Sequence, residues 1–203
     1  MRVHATISFR VMDACSNAIK CISACWIIFI AVWIVASIST KPSIYRESRA
    51  QRLRYSLLLV VSYLLLVYGR RLPHPFDLRL IRCVDVLAWT GSLLCVGGLA
   101  FCIWARISIG RNWSGVVTLK EDHQLVEHGP YRWVRHPIYT GLLMMYLATA
   151  ITLGHGAGFS GLLLAFASFW IKLNIEEKLM LKQFPDRYST YQRRVKRIIP
   201  FVL

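Results

Sequence analysis

Four stretches of the sequence carry no charged residue and are strongly apolar. Residues 21–40 and 86–105 are twenty residues each, and a twenty-residue helix rising about 1.5 Å per residue crosses about 30 Å of hydrocarbon. Residues 55–69 form a shorter run that is dense in Leu and Val. Residues 136–171 contain no Asp, Glu, Lys or Arg. The pattern predicts an integral membrane protein.

The last of these runs is too long for one ordinary span, and the sequence Gly154-His155-Gly156-Ala157-Gly158 interrupts it. Two short helices joined by a tight turn fit it better than one very long helix. We therefore predict an all-α integral membrane protein with about five transmembrane helices, the last two forming a helical hairpin. The fourth span should start near Ile138, and the fifth should end near Asn174.

The first three spans leave two alternatives open. The first could be a cleaved signal peptide, but its apolar run is long and no clean cleavage site follows, so a retained span is favoured. The second is short, and it either fits a thinned bilayer or is extended by snorkelling arginines at both ends. In the third, Gly91, Ser92, Gly97 and Gly98 should let another helix approach closely.

Composition narrows the class of protein further. The chain is 56% hydrophobic and 17% charged, which is unlike a soluble domain of 203 residues. Its formal net charge of +15 is clustered between apolar runs rather than spread over one soluble face. We therefore expect contact with anionic lipid head groups and no nucleic acid partner.

Cysteine and histidine spacing argues against a metal site. The six cysteines form no C-x-x-C pair, and four of them lie inside apolar runs, so we expect structural roles for all six. His123 and His128 are five residues apart, and His128 and His136 are eight apart. Neither spacing matches the i, i+4 pairing of helical zinc ligands.

The lysines and arginines indicate the orientation. Counted from the N-terminus, the six segments that flank five spans hold 3, 5, 4, 5, 0 and 8 of them. Alternate segments share a side, so one side holds 18 and the other 7. The positive-inside rule then places the C-terminus and the polar connection after the third span in the cytoplasm.

The most informative polar segment is residues 123–141, HQLVEHGPYRWVRHPIYTG. Gly129-Pro130 and His136-Pro137 punctuate it, because proline fixes φ and moves the preceding residue out of the α region. Arg132 and Arg135 supply donors suited to carboxylate or phosphate. We expect a shaped, semi-rigid loop, although Tyr, Trp and Arg would also suit a simple membrane-interface connector.

A hairpin returns its two ends to one membrane face, so Arg135 and His136 should lie near Glu176 and Glu177. The spans are almost free of ionisable groups, whereas a proton relay or a transporter would place them near the midplane. No Ser-His-Asp pattern, G-x-S-x-G elbow, P-loop or Rossmann glycine signature is present. Any chemistry should therefore lie at the cytoplasmic boundary.

The strings GPYRWVRHPIYTG and EEKLMLKQFPDRYSTYQRRVKRIIP resemble the isoprenylcysteine carboxyl methyltransferase family of integral membrane enzymes. They are also similar to the related membrane phospholipid methyltransferases. The resemblance covers residues 123–200. It implies a single membrane methyltransferase domain over residues 1–203, with a three-span part at 1–120, and the cofactor loop, closing hairpin and tail at 121–203.

The resemblance also implies S-adenosyl-L-methionine as methyl donor, S-adenosyl-L-homocysteine as product, and a cofactor site on the cytoplasmic side. The implied cofactor-binding residues are His123, Leu125, Val126, Gly129, Pro130, Tyr131, Arg135, His136, Pro137, Tyr139, Glu176 and Glu177. In physical terms, a glutamate can pair with the donor's ammonium, an arginine with its carboxylate, and aromatic rings can cover its adenine.

The resemblance leaves two acceptors open. A lipophilic, isoprenylcysteine-like carboxylate is favoured, held by Arg194 or Arg187 of the tail, because an ionised carboxylate needs only positioning and desolvation. A phospholipid amine of the ethanolamine type would first have to lose a proton, and Glu177 is the candidate base. Membrane lipids and the lipophilic acceptor are the expected partners.

Two other classes of protein fit the sequence less well. A non-enzymatic membrane protein could bind anionic lipid through its basic cytoplasmic face, but it would not require the ordered prolines or the Glu176-Glu177 pair. A reductase similar to the sterol reductases would use a nicotinamide cofactor, and those chains are typically much longer.

Overall fold

The computed structural model describes residues 2–38, 40–120 and 124–202. The predicted site residue His123 lies outside the described residues. The helices in chain order are α1 (Arg2–Ser37), α2 (Arg49–Tyr68), α3 (Asp85–Ile109), α4 (Pro137–Leu153), α5 (Gly156–Gln183) and α6 (Pro185–Arg194). Two short strands, β1 (Ser43–Arg46) and β2 (Thr118–Lys120), form an antiparallel ribbon.

The predicted helical membrane fold is confirmed. Within the described residues, four apolar helices are long enough to cross a membrane: Asp13–Ser37, Arg49–Arg71, Asp85–Asn112 and Gly156–Gln183. The fifth apolar helix, α4, is shorter at seventeen residues. Large apolar side chains on the outer faces, such as Leu57, Leu93 and Ile107, are more than half exposed. A soluble protein would bury such side chains, so these faces are suited to lipid.

The second apolar run is part of a longer helix than the sequence alone suggested. α2 starts six residues before Tyr55, at Arg49. The Ser48 hydroxyl accepts a hydrogen bond from the Gln51 amide at 3.2 Å, and the Ser48 amide donates to the Gln51 side chain at 3.3 Å. This capping box satisfies two backbone donors at the helix start. Arginines therefore extend the apolar run at its beginning.

The helix of the fifth span does not end near Asn174, where the sequence predicts the span to end. α5 continues nine residues further, to Gln183. The residues after Asn174 are mostly strong helix formers, and Pro185 is the first residue that breaks the pattern. Glu176 and Glu177 therefore belong to α5 itself, and α6 follows almost at once.

The hairpin of α4 and α5 is confirmed, with its turn at the predicted glycines. Gly154 ends α4 with φ +69°, and its amide donates to the Ala150 carbonyl at 2.8 Å. Gly154 lies so close to the Ile81 carbonyl that a Cβ at position 154 would overlap it. The left-handed conformation and the close approach both favour glycine here.

Glycines also set the separation of α3 and α4. A Cβ at Gly98 would lie 2.7 Å from the Gly141 carbonyl oxygen, and a Cβ at Gly141 would lie 2.6 Å from the Gly98 carbonyl oxygen. Both distances are shorter than real contacts permit. The two backbones therefore touch, as the small residues of the third span predicted.

The two ends of the helix bundle differ in their covalent and local structure. Cys15 of α1 and Cys83, just before α3, are joined by a disulfide, a pairing that the cysteine spacing did not reveal. Cys25, Cys95 and Cys102 are buried and free. The disulfide lies at the end where α3 and α5 begin, whereas the β1–β2 ribbon and α6 lie at the opposite end.

Replacing Gly98 with alanine should lower the stability of the protein, because the added methyl would push α4 away from α3. Overpacking of this kind typically costs about 1–3 kcal/mol. The matched control is Gly97→Ala, since a Cβ at Gly97 would meet only the end of the Met144 side chain, at 3.9 Å. Thermal unfolding in detergent should show a lower midpoint for Gly98→Ala, and equal midpoints would contradict the close crossing.

Candidate active site

A cavity of about 380 Å³ opens at the end of the bundle where α4 begins and α5 ends. One end of it is apolar and is lined by Phe29, Leu59, Leu142 and Phe169. The other end is polar and is lined by Asn112, Gln124, Arg135, His136, Lys172 and Glu176. The volume lies within the range of ordinary small-molecule sites. The predicted convergence of the loop with the hairpin ends therefore occurs around one cavity.

The loop before α4 is held in place by the C-terminal tail. The Arg135 amide donates to the Lys196 carbonyl at 2.8 Å, and the His136 amide donates to the Arg197 carbonyl at 2.9 Å. The Arg135 guanidinium also donates to the backbone carbonyl of Val195. Proline at position 137 then starts α4, where a missing amide hydrogen costs nothing. These contacts fix Arg135 and His136 against the tail.

Glu177 joins four parts of the chain through one buried carboxylate, which is 3% exposed. Its oxygens lie 2.8 Å from Arg135 Nε, 3.1 Å from Arg197, 3.1 Å from the Gln192 amide nitrogen and 3.2 Å from His136 Nε2. The carboxylate does not line the cavity. Its place is behind the cavity wall, where it holds the loop, α6 and the tail together.

Glu176, the neighbouring residue, faces the cavity. It accepts a hydrogen bond from the Tyr139 hydroxyl at 2.7 Å, and its carboxylate lies 3.5 Å from His136 Nδ1. The His136 ring thus lies between the two glutamates. Burial lowers the pKa of His136, but hydrogen bonds to Glu176 and Glu177 outweigh burial and leave that pKa above its ordinary value. The ring therefore keeps its proton to higher pH than a free imidazole.

Lys172 is a cavity residue that the sequence analysis missed. Its ammonium donates to the Gly115 carbonyl at 2.7 Å and lies 5.4 Å and 5.6 Å from the ring centres of Tyr55 and Tyr139. The available signal was its spacing from Glu176, because residues four apart share one face of a helix. A cation and a carboxylate therefore face the same cavity from α5.

Most of the predicted cofactor residues line this cavity. They are Leu125, Val126, Tyr131, Arg135, His136, Pro137, Tyr139 and Glu176. Gly129, Pro130 and Glu177 do not line it. Gly129 has φ +60°, and a Cβ there would lie 2.6 Å from the Ser108 hydroxyl, so this glycine lets the loop turn tightly against α3.

The structure does not bring Arg187 and Arg194 to the cavity. Both side chains are about two-thirds exposed, at 66% and 65%, and both pair with Glu127 at 3.1 Å and 2.8 Å. These contacts tie the loop to α6 on the outer surface. Their predicted role as holders of an acceptor carboxylate receives no support from this geometry.

A family model described as phospholipid methyltransferase matches residues 86–187, half of the chain. The chain belongs to this family. The matched segment runs from α3 to the start of α6 and contains Lys172, Glu176 and the loop around Arg135. The cavity therefore lies largely within the part of the chain that defines the family.

Curated relatives carry a narrower name. The protein-S-isoprenylcysteine O-methyltransferase of Tribolium castaneum is 33% identical over 125 residues, which cover 60% of this chain and 44% of the relative. The human protein of the same name is 31% identical over equal coverage. The chain thus spans less than half the length of these two relatives. A protein of Oryza sativa subsp. indica, described as a probable protein-S-isoprenylcysteine O-methyltransferase, is 27% identical. That match covers 72% of this chain and 80% of the relative.

A solved structure supports the same grouping. The eukaryotic intramembrane Ras methyltransferase, an isoprenylcysteine carboxyl methyltransferase, superposes with a TM-score of 0.52 at 26% identity. The match covers 73% of this chain and 53% of that one. The helical arrangement is therefore that of a membrane methyltransferase.

Glu177→Gln should destabilise the protein strongly, because it leaves Arg135 buried without its carboxylate and removes one of the two carboxylates beside the His136 ring. Breaking a buried ion pair by removing one partner typically costs about 3–5 kcal/mol. The matched control is Glu127→Gln, whose arginine partners are largely exposed and whose loss should cost less than about 1 kcal/mol. Thermal unfolding in detergent should rank the two variants in this order, and the reverse order would contradict the structural role of Glu177.

Proposed function

We propose that the chain is an S-adenosylmethionine-dependent methyltransferase that methylates the carboxylate of a lipophilic acceptor in the described cavity. One observation carries the proposal: Lys172 and Glu176 present opposite charges on one face of α5, at the polar end of a cavity whose other end is apolar. The family membership and the relatives named isoprenylcysteine O-methyltransferases support the reaction class.

The cavity has groups that fit the methyl donor. Glu176 offers a carboxylate for the ammonium of S-adenosylmethionine, and the Arg135 guanidinium, which lines the cavity, offers donors for its carboxylate. Asn112 lines the cavity, and its Oδ1 atom is buried without a hydrogen-bond partner among the described residues. A buried orphan acceptor is costly unless a ligand donates to it. The apolar side chains of Leu125 and Val126 and the ring of Tyr131 supply surfaces for the adenine.

Lys172 is the proposed anchor for the acceptor carboxylate. It lies at the polar end of the cavity, beside Tyr139. Phe169, which lies about one turn earlier on the same helix, belongs to the apolar end. An acceptor with a charged head and an apolar tail would match this polarity. Lys172 therefore replaces Arg187 and Arg194 in this role.

The residues of the chain act by positioning and by excluding water. When bound, S-adenosylmethionine supplies a methyl group whose bond to sulfur breaks as the acceptor oxygen takes the carbon. Lys172 orients the carboxylate, and the aromatic wall of Tyr139 and Phe169 keeps water from it. An ionised oxygen moved out of water is a stronger nucleophile, and no proton has to be transferred.

A carboxylate acceptor suits these groups better than a phospholipid amine. An amine of the ethanolamine type must lose a proton to a base, and Glu176 is the carboxylate at the cavity. Glu176 already accepts from Tyr139 and lies beside the His136 ring, and donors around a carboxylate make it a weak base. The phospholipid amine stays the alternative acceptor because the family model carries that name.

Calorimetry with S-adenosylhomocysteine should separate the roles of the two α5 side chains. Wild type should bind, and Glu176→Gln should weaken binding about 10–100-fold, the value of a charge-assisted hydrogen bond. Lys172→Met should keep that binding but raise KM for N-acetyl-S-farnesylcysteine by a similar factor. Lys178→Met on the exposed face of α5 is the matched control.

A methyl-transfer assay with two different acceptors tests the acceptor class. Methyl transfer should be seen with N-acetyl-S-farnesylcysteine and not with phosphatidylethanolamine. Transfer to phosphatidylethanolamine alone would replace the proposed acceptor by the alternative one. Absence of S-adenosylhomocysteine binding by folded wild type would refute the methyltransferase proposal itself.

We also propose that the cavity and the C-terminus face the cytoplasm. The segments at that end hold 18 of the 25 lysines and arginines. The opposite end carries the disulfide of Cys15 and Cys83, and disulfides persist in oxidising compartments rather than in the cytosol. Charge and cysteine chemistry thus indicate the same orientation independently.

Cysteine labelling can test this orientation with two matched variants. Asp77→Cys lies at the disulfide end, Asp186→Cys lies at the cavity end, and both aspartates are exposed. Neither change alters the lysine and arginine distribution. In sealed vesicles with the cytoplasmic face inward, an impermeant maleimide should label only Asp77→Cys until detergent is added. The opposite labelling pattern would overturn the orientation.

A further inference from the structure

A second cavity lies further along the same three helices that border the apolar end of the first. Its volume is about 360 Å³, and it lies toward the disulfide end of the bundle. It is lined by residues of α1, α2 and α4: Ile19, Ile22, Ser23, Trp26, Ile27, Ile30, Tyr63, Leu66, Val67, Thr149, Thr152 and Leu153. Both cavities are therefore bordered by the same three helices.

Three side chains, one each from α1, α2 and α4, contact one another between the two cavities. Trp26 of α1 meets Tyr146 of α4 edge to face, with ring centres 5.2 Å apart, and its indole N–H donates to the Thr149 hydroxyl at 3.1 Å. The Tyr146 hydroxyl lies 3.0 Å from the Ser62 hydroxyl of α2. Tyr146 is buried. We call Trp26, Tyr146 and Ser62 the partition.

The position of the partition follows from the lining residues on α2 and α4. On α4, Leu142 lines the first cavity and Thr149 lines the second, with Tyr146 between them. On α2, Leu59 lines the first and Tyr63 the second. On α1 the two linings overlap in depth, because Trp26 and Ile30 border the second cavity and Phe29 borders the first.

We propose that Trp26 and Tyr146 close the apolar end of the acceptor cavity and so limit the length of acceptor tail that the protein encloses. The inference rests on the proposed function, because it assumes that the acceptor's head lies at Lys172. It makes Trp26 a determinant of specificity for tail length.

The volumes support a limit at this position. The first cavity must hold a methyl donor as well as the head of the acceptor within about 380 Å³. Little of that space is left for a long hydrocarbon chain. The partition closes the direct route to nearly as much apolar volume again. Each methylene that gains burial raises affinity about fourfold, so opening the partition should favour longer tails progressively.

The experiment compares wild type with Trp26→Ala on N-acetyl cysteines that carry geranyl, farnesyl or geranylgeranyl tails. In Trp26→Ala, the ratio of kcat/KM for the longest tail to that for the shortest should rise at least tenfold. The value for the geranyl acceptor should change least, since its tail is the shortest of the three. Trp26→Phe, a milder change, should give an intermediate ratio.

Two further variants separate the partition from general effects of losing a tryptophan. Trp89→Ala removes an exposed tryptophan from the outer face of α3 and should leave the ratio unchanged. Ser23→Phe would fill the second cavity, so adding it to Trp26→Ala should restore the wild-type ratio. A rescue by filling is not expected if Trp26 only stabilises the helices.

A binding experiment measures how affinity depends on tail length, without turnover. The same three compounds are titrated by calorimetry in the presence of S-adenosylhomocysteine, and the affinity ratios should follow the kcat/KM ratios. A ratio that Trp26→Ala leaves unchanged, or wild type that binds no tail in either arm while still binding S-adenosylhomocysteine, would overturn the partition proposal. Failure to bind S-adenosylhomocysteine would instead overturn the proposed function.

Discussion

The buried Glu177 carboxylate is the interaction on which the rest of the site depends. Its partners come from the loop before α4, from α6 and from the tail. A buried charge must be paired and hydrogen-bonded to be tolerated. Pairing with Glu177 therefore requires the three segments to meet at α5, and their meeting forms the wall of the cavity.

The membrane explains why that pairing lies where it does. Within hydrocarbon the backbone has to satisfy its own hydrogen bonds, so the chain crosses as helices and its irregular segments are confined to the ends. The hairpin of α4 and α5 returns to one face, and the glycines of α3 and α4 bring the backbones into contact. Polar chemistry can then be assembled at one end of the bundle, while apolar cavities remain along its length.

The features that could be predicted from sequence are those with a local cause. Absence of charge located the apolar helices, Pro137 located the start of α4, and the glycine turn at 154–158 located the hairpin. The features that were missed depend on helix rotation or on distant pairing. Arg187 and Arg194 follow the site motif closely in sequence, yet they point outward to Glu127. Cys15 and Cys83 are 68 residues apart, and no spacing rule joins them.

The two adjacent glutamates illustrate this limit. Consecutive residues on a helix are rotated by about 100°, as 3.6 residues complete a turn, so the Glu176 and Glu177 side chains leave the helix in different directions. Because α5 extends to Gln183, Glu176 faces the cavity with Lys172, and Glu177 faces the loop and the tail. In the sequence, the two adjacent glutamates look equivalent in function. The helix divides it into a carboxylate available to a ligand and a carboxylate that holds the site together, with His136 between them.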